Sequence, residues 1–405
     1  MDDFAGRRRR FSELLGGAAA VVPGARTTFR SRDTQHAFRQ DSDFHYLTGF
    51  PDPDSIAIFD QDRFHLLVPP RDSEREAWEG ERQGLDGARR HGAEPWPIEK
   101  LEELLSSLLQ AAPRIYFPLY RDARLDHWLS HHLSRRRGAA SPEILDPAGP
   151  IGELRLFKDE EEIERMARAA RISARAHRHV RERIRPGVGE SELAALLELE
   201  LRREGGSGPS YPSIVASGKN ATVLHYTGSA RTIEAGDLVL IDAGAEFELY
   251  AADVTRTHPA SGDFSPEQRA VWEIVSEAQE AGIARCVAGR TTEEVHRTAQ
   301  EVLIRGLKDL GVLSAPVEEI LEKELQKPYT IHKTSHFIGL DVHDPGMPPP
   351  GAAPRSLAPG MVLTVEPGLY FREGTTCPER LMGIGVRIED DVLVTGGAPR
   401  VLSRP

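Results

Sequence analysis

The run Leu238-Val239-Leu240-Ile241-Asp242-Ala243-Gly244 is apolar until it ends on a carboxylate and a glycine, and an alternating run from Phe247 to Thr257 follows it. Apolar stretches of this length, one continuous and one with period two, read as two paired strands with a turn. The second strand carries its own carboxylate in an apolar setting, Ala251-Ala252-Asp253-Val254. On either side the period changes to that of helices. Lys158 to Ala176 is a charged helix with Ile163, Met166, Ala170 and Ile172 on one side, and helical spacing recurs at Leu193 to Leu201, Val271 to Ile283 and Val295 to Leu310. Further strands are predicted at Val362 to Val365 and Ile384 to Val394, broken by Pro367-Gly368 and by Gly383 and Gly385. Helices flanking antiparallel strands give an α+β domain.

The chain before this domain has a different character. Ala18 to Val22, Ser55 to Phe59 and Phe64 to Val68 read as short buried strands, and Glu99 to Leu109 as a helix, so this part is mixed α/β. Asp146-Pro147-Ala148-Gly149-Pro150 interrupts both periods and places a boundary there, with domains expected at residues 1–150 and 151–405. The cluster Gly205-Gly206-Ser207-Gly208-Pro209 reads as a flexible connection, and Arg135-Arg136-Arg137 as a solvated face. No solenoid repeat or long low-complexity segment is present.

Composition narrows the function. The chain has 405 residues, 39% hydrophobic and 28% charged, which suits a globular protein of two or three domains. A net charge of -12, from 51 Lys+Arg against 63 Asp+Glu, argues against a nucleic-acid partner. Two cysteines, Cys286 and Cys377, form neither a disulfide framework nor a cysteine-rich zinc site, and fit a reducing compartment. Arg7 to Arg10 precede Phe11-Ser12-Glu13-Leu14-Leu15 as a basic region precedes an export segment, but Glu13 breaks the run and Pro23 closes it. No apolar run approaches the roughly 18 residues that span a bilayer. A cytoplasmic protein with no membrane partner is expected.

Common catalytic patterns are missing: there is no His-Glu-x-x-His, no Gly-x-Ser-x-Gly, and Gly218-Lys219 lacks the rest of a phosphate-binding loop. What remains is a set of ionisable residues at strand ends: Asp242, Asp253, His336 in Ser335-His336-Phe337-Ile338, Glu366 after Val362 to Val365, and Glu389 after Val386-Arg387-Ile388. Each alone reads as a turn, a cap or a satisfied core histidine. Together they are expensive to bury unless paired or metal-bound, since desolvation costs several kcal/mol per ion. Four carboxylates neutralise two divalent cations while a neutral imidazole completes the set. Oxygen ligands with one imidazole and no thiolate favour Mn²⁺, Co²⁺, Fe²⁺ or Zn²⁺ in an open site, where a bridging water can become a nucleophile at neutral pH.

The segments Leu224-His225-Tyr226, Ile241 to Gly244, Ala252 to Thr257, His332 to Asp344, Thr364-Val365-Glu366-Pro367-Gly368-Leu369-Tyr370 and Gly385 to Asp391 resemble the pita-bread metallopeptidases, and among them aminopeptidase P (Xaa-Pro aminopeptidase). Phe38-Arg39-Gln40-Asp41-Ser42-Asp43-Phe44-His45-Tyr46-Leu47-Thr48-Gly49-Phe50 is similar to the N-terminal domain of the same enzymes. The resemblance implies a creatinase-type, ribonuclease H-like α/β domain followed by an α+β pita-bread catalytic domain. It implies a dinuclear centre, with manganese expected and cobalt or zinc as alternatives, in which Asp242 binds one metal, Asp253 and Glu389 bridge, and His336 and Glu366 complete the second. It makes Glu366 the general base and His343 an oxyanion donor, and has His225, His332, Tyr370 and Arg387 line the site and hold substrate or support the ligands, His225 and His332 among the catalytic residues and Tyr370 and Arg387 as substrate-binding ones. Lys333-Thr334 departs from the family pattern; it adds a cation near the substrate mouth, read as a solvated side chain, and bears on subsite preference, not on the metals.

The implied substrates are peptides with proline at the second position, whose tertiary amide lacks the N–H that many peptidases recognise. The rival activity is an Xaa-Pro dipeptidase (prolidase), and the rival of another class is a pita-bread binding protein without catalysis. A homodimer or homotetramer is implied by the family.

Overall fold

A computed structural model describes residues 3–111, 113–135, 141–349 and 351–404. By internal contacts these form two units, Met1–Arg155 and Leu156–Pro405.

In the first unit, the Ala18 to Val22 run becomes a strand, Ala19–Pro23, inside a six-stranded mixed sheet. It pairs antiparallel with Ile56–Asp60 and parallel with Arg114–Tyr116. The sheet extends through Arg63–Val68 to Glu94–Pro97 on one side and to Glu143–Leu145 on the other. Val21, Ile58 and Leu67 meet Leu105 and Leu109 of the Leu101–Ala111 helix, so the strands and helix read from sequence share one core. The basic N-terminal run lies in a helix, Phe4–Leu15, where Arg7 is buried with its guanidinium 4.5 Å from the Tyr46 ring. Arg135 is exposed beside His131; Arg136 and Arg137 lie outside the described residues.

The Asp146 to Pro150 segment does not interrupt helical structure as its composition suggests. Asp146 caps a helix, Ala148–Leu156, that takes Gly149 and Pro150 into its first turn. A proline there loses no bond, because the first-turn N–H groups have no partner inside the helix. The division between the units accordingly falls between Arg155 and Leu156.

The second unit has two helix pairs. Three of its four long helices, Glu160–Arg181, Pro266–Ile283 and Thr292–Asp309, begin with a reciprocal capping box: Asp159 with Glu162, Ser265 with Gln268, Thr291 with Glu294. The Glu160–Arg181 and Glu190–Arg203 helices bury Ile172, Ala176, Leu193 and Leu197 against Val215, Val239 and Ile241. The other pair buries Val271, Val275, Ala299 and Leu303 against Leu369 and Val386. The strands lie in small antiparallel sheets: Ile214–Ser217, Leu238–Asp242 and Thr255–Pro259; Val362–Val365, Asp390–Leu393 and Arg400–Val401; and the pair Gly368–Tyr370 with Gly385–Arg387. This is the α+β arrangement expected of the pita-bread fold.

The alternating run from Phe247 to Thr257 is not one strand. Ala245–Phe247 and Tyr250–Ala251 form a hairpin across Glu248 and Leu249, both at positive φ, before the chain resumes as Thr255–Pro259. Gly244 makes the excursion possible, since a Cβ there would lie 1.6 Å from the Ala252 carbonyl oxygen. The chain returns so that Ala243 N donates to Val254 O and Asp242 faces Thr255 across the sheet. Nor is the glycine cluster before it a loose connection: Gly208–Pro209 pairs with Ala245 and Glu246.

Candidate metal centre and active site

Four segments bring the five strand-end residues together. Asp242 ends the Leu238–Asp242 strand, and the Gly244 contact sets Asp253 beside it. Glu389 stands between Gly385–Arg387 and Asp390–Leu393 and bridges to Thr255. His336 and Glu366 meet because Thr364 N donates to His336 O and Glu366 N to Thr334 O. All five line one cavity of about 720 Å³, together with His225, His332, His343 and Arg387. Tyr370 does not line it: this side chain is fully buried and reaches the site through its hydroxyl, 2.8 Å from His332 Nε2 and 3.1 Å from Arg387 Nη1.

The donor set turns acceptors towards a common centre. His336 Nδ1 lies 3.1 Å from Phe337 O and donates to it, which leaves the Nε2 lone pair 3.7 Å from Asp253 Oδ2 and 3.5 Å from Glu366 Oε1. One ligand atom each from Asp253, His336 and Glu389 lie within 4.8 Å of one another. Neighbouring donors hold the carboxylates from outside. Tyr211 Oη donates between Asp242 Oδ1 at 2.6 Å and Asp253 Oδ1 at 2.5 Å; Thr255 Oγ1 donates to Glu389 Oε2 at 2.6 Å; Arg387 Nη2 donates to Asp242 Oδ2 at 2.5 Å. Asp391, also buried, receives Asp253 N at 3.1 Å.

Electrostatics shows what the arrangement lacks. Without a cation, burial first and then the Asp242 charge push Asp253 up to about 7, and burial pushes Glu366 up to about 8. Glu389 rises well above the carboxylate range, through burial and then the Asp253 and Glu366 charges. Four carboxylates at such separations do not ionise together without compensating positive charge. Arg387 supplies one charge; although burial disfavours its cation, Tyr370, Asp242 and Glu389 outweigh this and keep it protonated. One imidazole and four carboxylates, with a single Arg against them, therefore fit divalent metal. Two histidines beside the site are shifted towards the neutral form: burial, then Arg387, brings His332 down to about 4, and burial, then His336 and His225, lowers His343. The His343 ring stands edge-on to His336 with centroids 4.4 Å apart.

His332 is fixed by its neighbours. Its Nδ1–H donates to Lys333 O at 2.8 Å, so Nε2 accepts from Tyr370 Oη, and Glu366 Oε2 stands 3.4 Å from Nδ1. His225 is exposed on the cavity wall. Lys333 is also at the wall, its side chain 67% exposed with Nζ 3.6 Å from Glu293, whereas Thr334 is buried with Oγ1 2.8 Å from His296 Nδ1. Sequence reasoning missed Tyr211, Thr255 and Asp391 as parts of the site. Thr255 and Asp391 stand inside the motifs and contact Glu389 and Asp253, so position alone could have flagged them; Tyr211 follows a glycine-proline segment that carries no period.

Comparison with known proteins agrees with this geometry. Residues 164–396 match the model of metallopeptidase family M24, and residues 4–116 that of the aminopeptidase P N-terminal domain. The chain belongs to metallopeptidase family M24 and is a metal-dependent hydrolase. Within that family it is similar to the Xaa-Pro aminopeptidase of Escherichia coli K12, 37% identical over 97% of this chain and 92% of the relative, and to that of Haemophilus influenzae, 36% identical over 99% and 94%. Among solved structures it is similar to the aminopeptidase PepP of Pseudomonas aeruginosa, with a TM-score of 0.92, 40% identity and coverage of 99% and 95%. Aminopeptidase P of E. coli with the inhibitor Pro-Leu gives 0.93 at 36% identity, covering 99% and 94%.

Proposed function

We propose that this chain is an Xaa-Pro aminopeptidase, which hydrolyses the bond between an N-terminal residue and a following proline. The observation that carries the reading is the convergence of Asp242, Asp253, His336, Glu366 and Glu389 on one cavity, with one ligand atom each of Asp253, His336 and Glu389 within 4.8 Å of one another. Relatives similar over nearly the whole chain and named Xaa-Pro aminopeptidase support the substrate class. The five residues would hold two divalent cations, Mn²⁺ by preference; a zinc-substituted E. coli relative supports some latitude in the metal. When bound, these cations acidify water and polarise the scissile carbonyl.

The chain's own groups do the rest. Glu366 accepts the proton of the attacking water and later returns it to the proline nitrogen. His343, neutral and edge-on to His336, donates to the oxygen that gains charge on the carbonyl. Arg387 and Tyr211 hold Asp242 and Asp253 from behind, so both carboxylates stay aimed without reorganising. Tyr370 orients His332, whose ring borders Glu366, and His332 and exposed His225 shape the wall met by substrate. The proposal extends to a cytoplasmic location and to a homodimer or homotetramer.

Glu366→Gln tests the assignment of the base. General acid–base groups contribute about 10²–10⁴ in rate, so turnover of a metal-loaded variant is expected to fall by at least about 100-fold. Retention of a tenth or more of the activity, at unchanged metal content, removes Glu366 from that role.

A further inference from the structure

A second cavity, of about 700 Å³, lies on the other side of the Thr255–Pro259 strand. Thr255 turns its hydroxyl to Glu389, and Arg256, Thr257 and His258 line this second cavity. Its walls are one face of each of two helices: Ala174, His177, Arg178 and Arg181 of Glu160–Arg181, and Arg269, Trp272 and Gln279 of Pro266–Ile283.

The chain is acidic overall, but this cavity is not. Five guanidiniums, of Arg178, Arg181, Arg256, Arg269 and Arg404, face two carboxylates, Asp390 and Glu280, a surplus of three positive charges. Both carboxylates are already engaged: Arg256 Nη2 and Arg404 Nε take Asp390 at 2.6 and 2.8 Å, and Arg404 Nη1 takes Glu280 at 2.5 Å. Among the described residues, the guanidiniums of Arg178 and Arg181 have no hydrogen bond or ion pair. Arg269 lies 5.3 Å over the Phe264 ring, which meets Trp272 with centroids 5.7 Å apart, so an aromatic floor adjoins the charges.

A second, independent feature is His177. It is 4% exposed, its Nε2–H donates to Ala243 O at 2.9 Å, and its Nδ1 has no partner, leaving a buried lone pair beside the cavity. The local field is positive as well: burial, then His177, Arg181 and Arg256, bring His258 down to about 3.

We infer that this cavity binds a small phosphate-bearing anion, with the phosphate held by Arg178 and Arg181 and any apolar portion against Trp272 and Phe264. Guanidinium forks match phosphate oxygens in pairs, a bidentate geometry that lysine does not offer. The inference is independent of the peptidase reading, since it uses none of the residues in the metal-centre cavity.

Trp272 is the sole tryptophan after Trp128 and provides the probe. Titration of the metal-loaded full chain with inorganic pyrophosphate, followed by tryptophan fluorescence and calorimetry, is expected to saturate with a dissociation constant below about 1 mM. The double variant Arg178→Glu, Arg181→Glu should weaken binding at least about tenfold while leaving peptide turnover in the absence of pyrophosphate unchanged; both side chains lack structural partners. Two results overturn the inference: no saturable binding, or binding that survives the charge reversal but disappears on chelation, which places the anion on the active-site metals. A third arm uses phosphatidylglycerol vesicles. Association with vesicles in the absence of pyrophosphate binding makes the face a lipid surface and also overturns it.

Discussion

At the scale of single residues, the site is built from acceptors that only a cation reconciles, and from donors that stand behind them. Tyr211 is the clearest of the latter, because one phenol holds two carboxylates and is itself kept protonated by burial and then by the charges of Asp242 and Asp253. Outer groups of this kind are worth about 10- to 100-fold in metal affinity. Tyr211→Phe removes the hydroxyl without removing the ring, so a loss of that size is expected when metal binding is measured by competition with a chelator. Unchanged affinity would mean that Asp242 and Asp253 are aimed by Arg387 and Asp391 alone. The five strand-end residues were legible in the sequence because an ionisable group at the end of an apolar strand is costly unless something pays for it. Tyr211 was not, because its partners lie 31 and 42 residues further along the chain and nothing in its own segment marks it.

At the scale of elements, the hairpin between Asp242 and Asp253 sets the spacing of the centre. Its path depends on Gly244, where any side chain would meet the Ala252 carbonyl. Gly244→Ala is expected to destabilise the protein by about 2–3 kcal/mol, the cost of overpacking at a rigid backbone contact, and to lower metal affinity with it. Denaturant unfolding of the metal-free and metal-loaded forms measures both; a variant as stable as the parent in both forms would show that the backbone relaxes freely there. Sequence periodicity found the two ends of this unit but not the hairpin, since alternation of side chains continues through a turn at Glu248 and Leu249 that positive φ alone reveals. The Ala148–Leu156 helix was hidden for a related reason. Glycine and proline that break a helix interior are tolerated in a first turn, and composition does not tell these positions apart.

At the scale of the whole molecule, buried neutral histidines tie stability to pH. Burial is the main cause in each case: it brings His177 and His296 down to about 4 and His258 down to about 3, all below the ordinary value of 6.5. In the unfolded chain these groups take up protons as pH falls through about 6.5, but in the folded chain they do so only near 4 and 3. The stability they contribute is therefore fully present above about pH 6.5 and is lost as pH falls towards 4. The urea midpoint should decline over that window, with a shallower slope in His177→Gln; an identical slope would remove His177 from the account. The same scale decides length selectivity. An aminopeptidase leaves room beyond the proline, whereas a dipeptidase closes that space, and no single motif in the sequence carries the difference. The most direct measurement is release of the N-terminal residue from Xaa-Pro-Yaa-Zaa, Xaa-Ala-Yaa-Zaa and Xaa-Pro by the purified chain, loaded with Mn²⁺ and after chelation. The account predicts rapid release from Xaa-Pro-Yaa-Zaa, little from the alanine peptide, and none after chelation until metal is restored; cleavage of the dipeptide alone, or no metal-dependent release from any of the three, would contradict it.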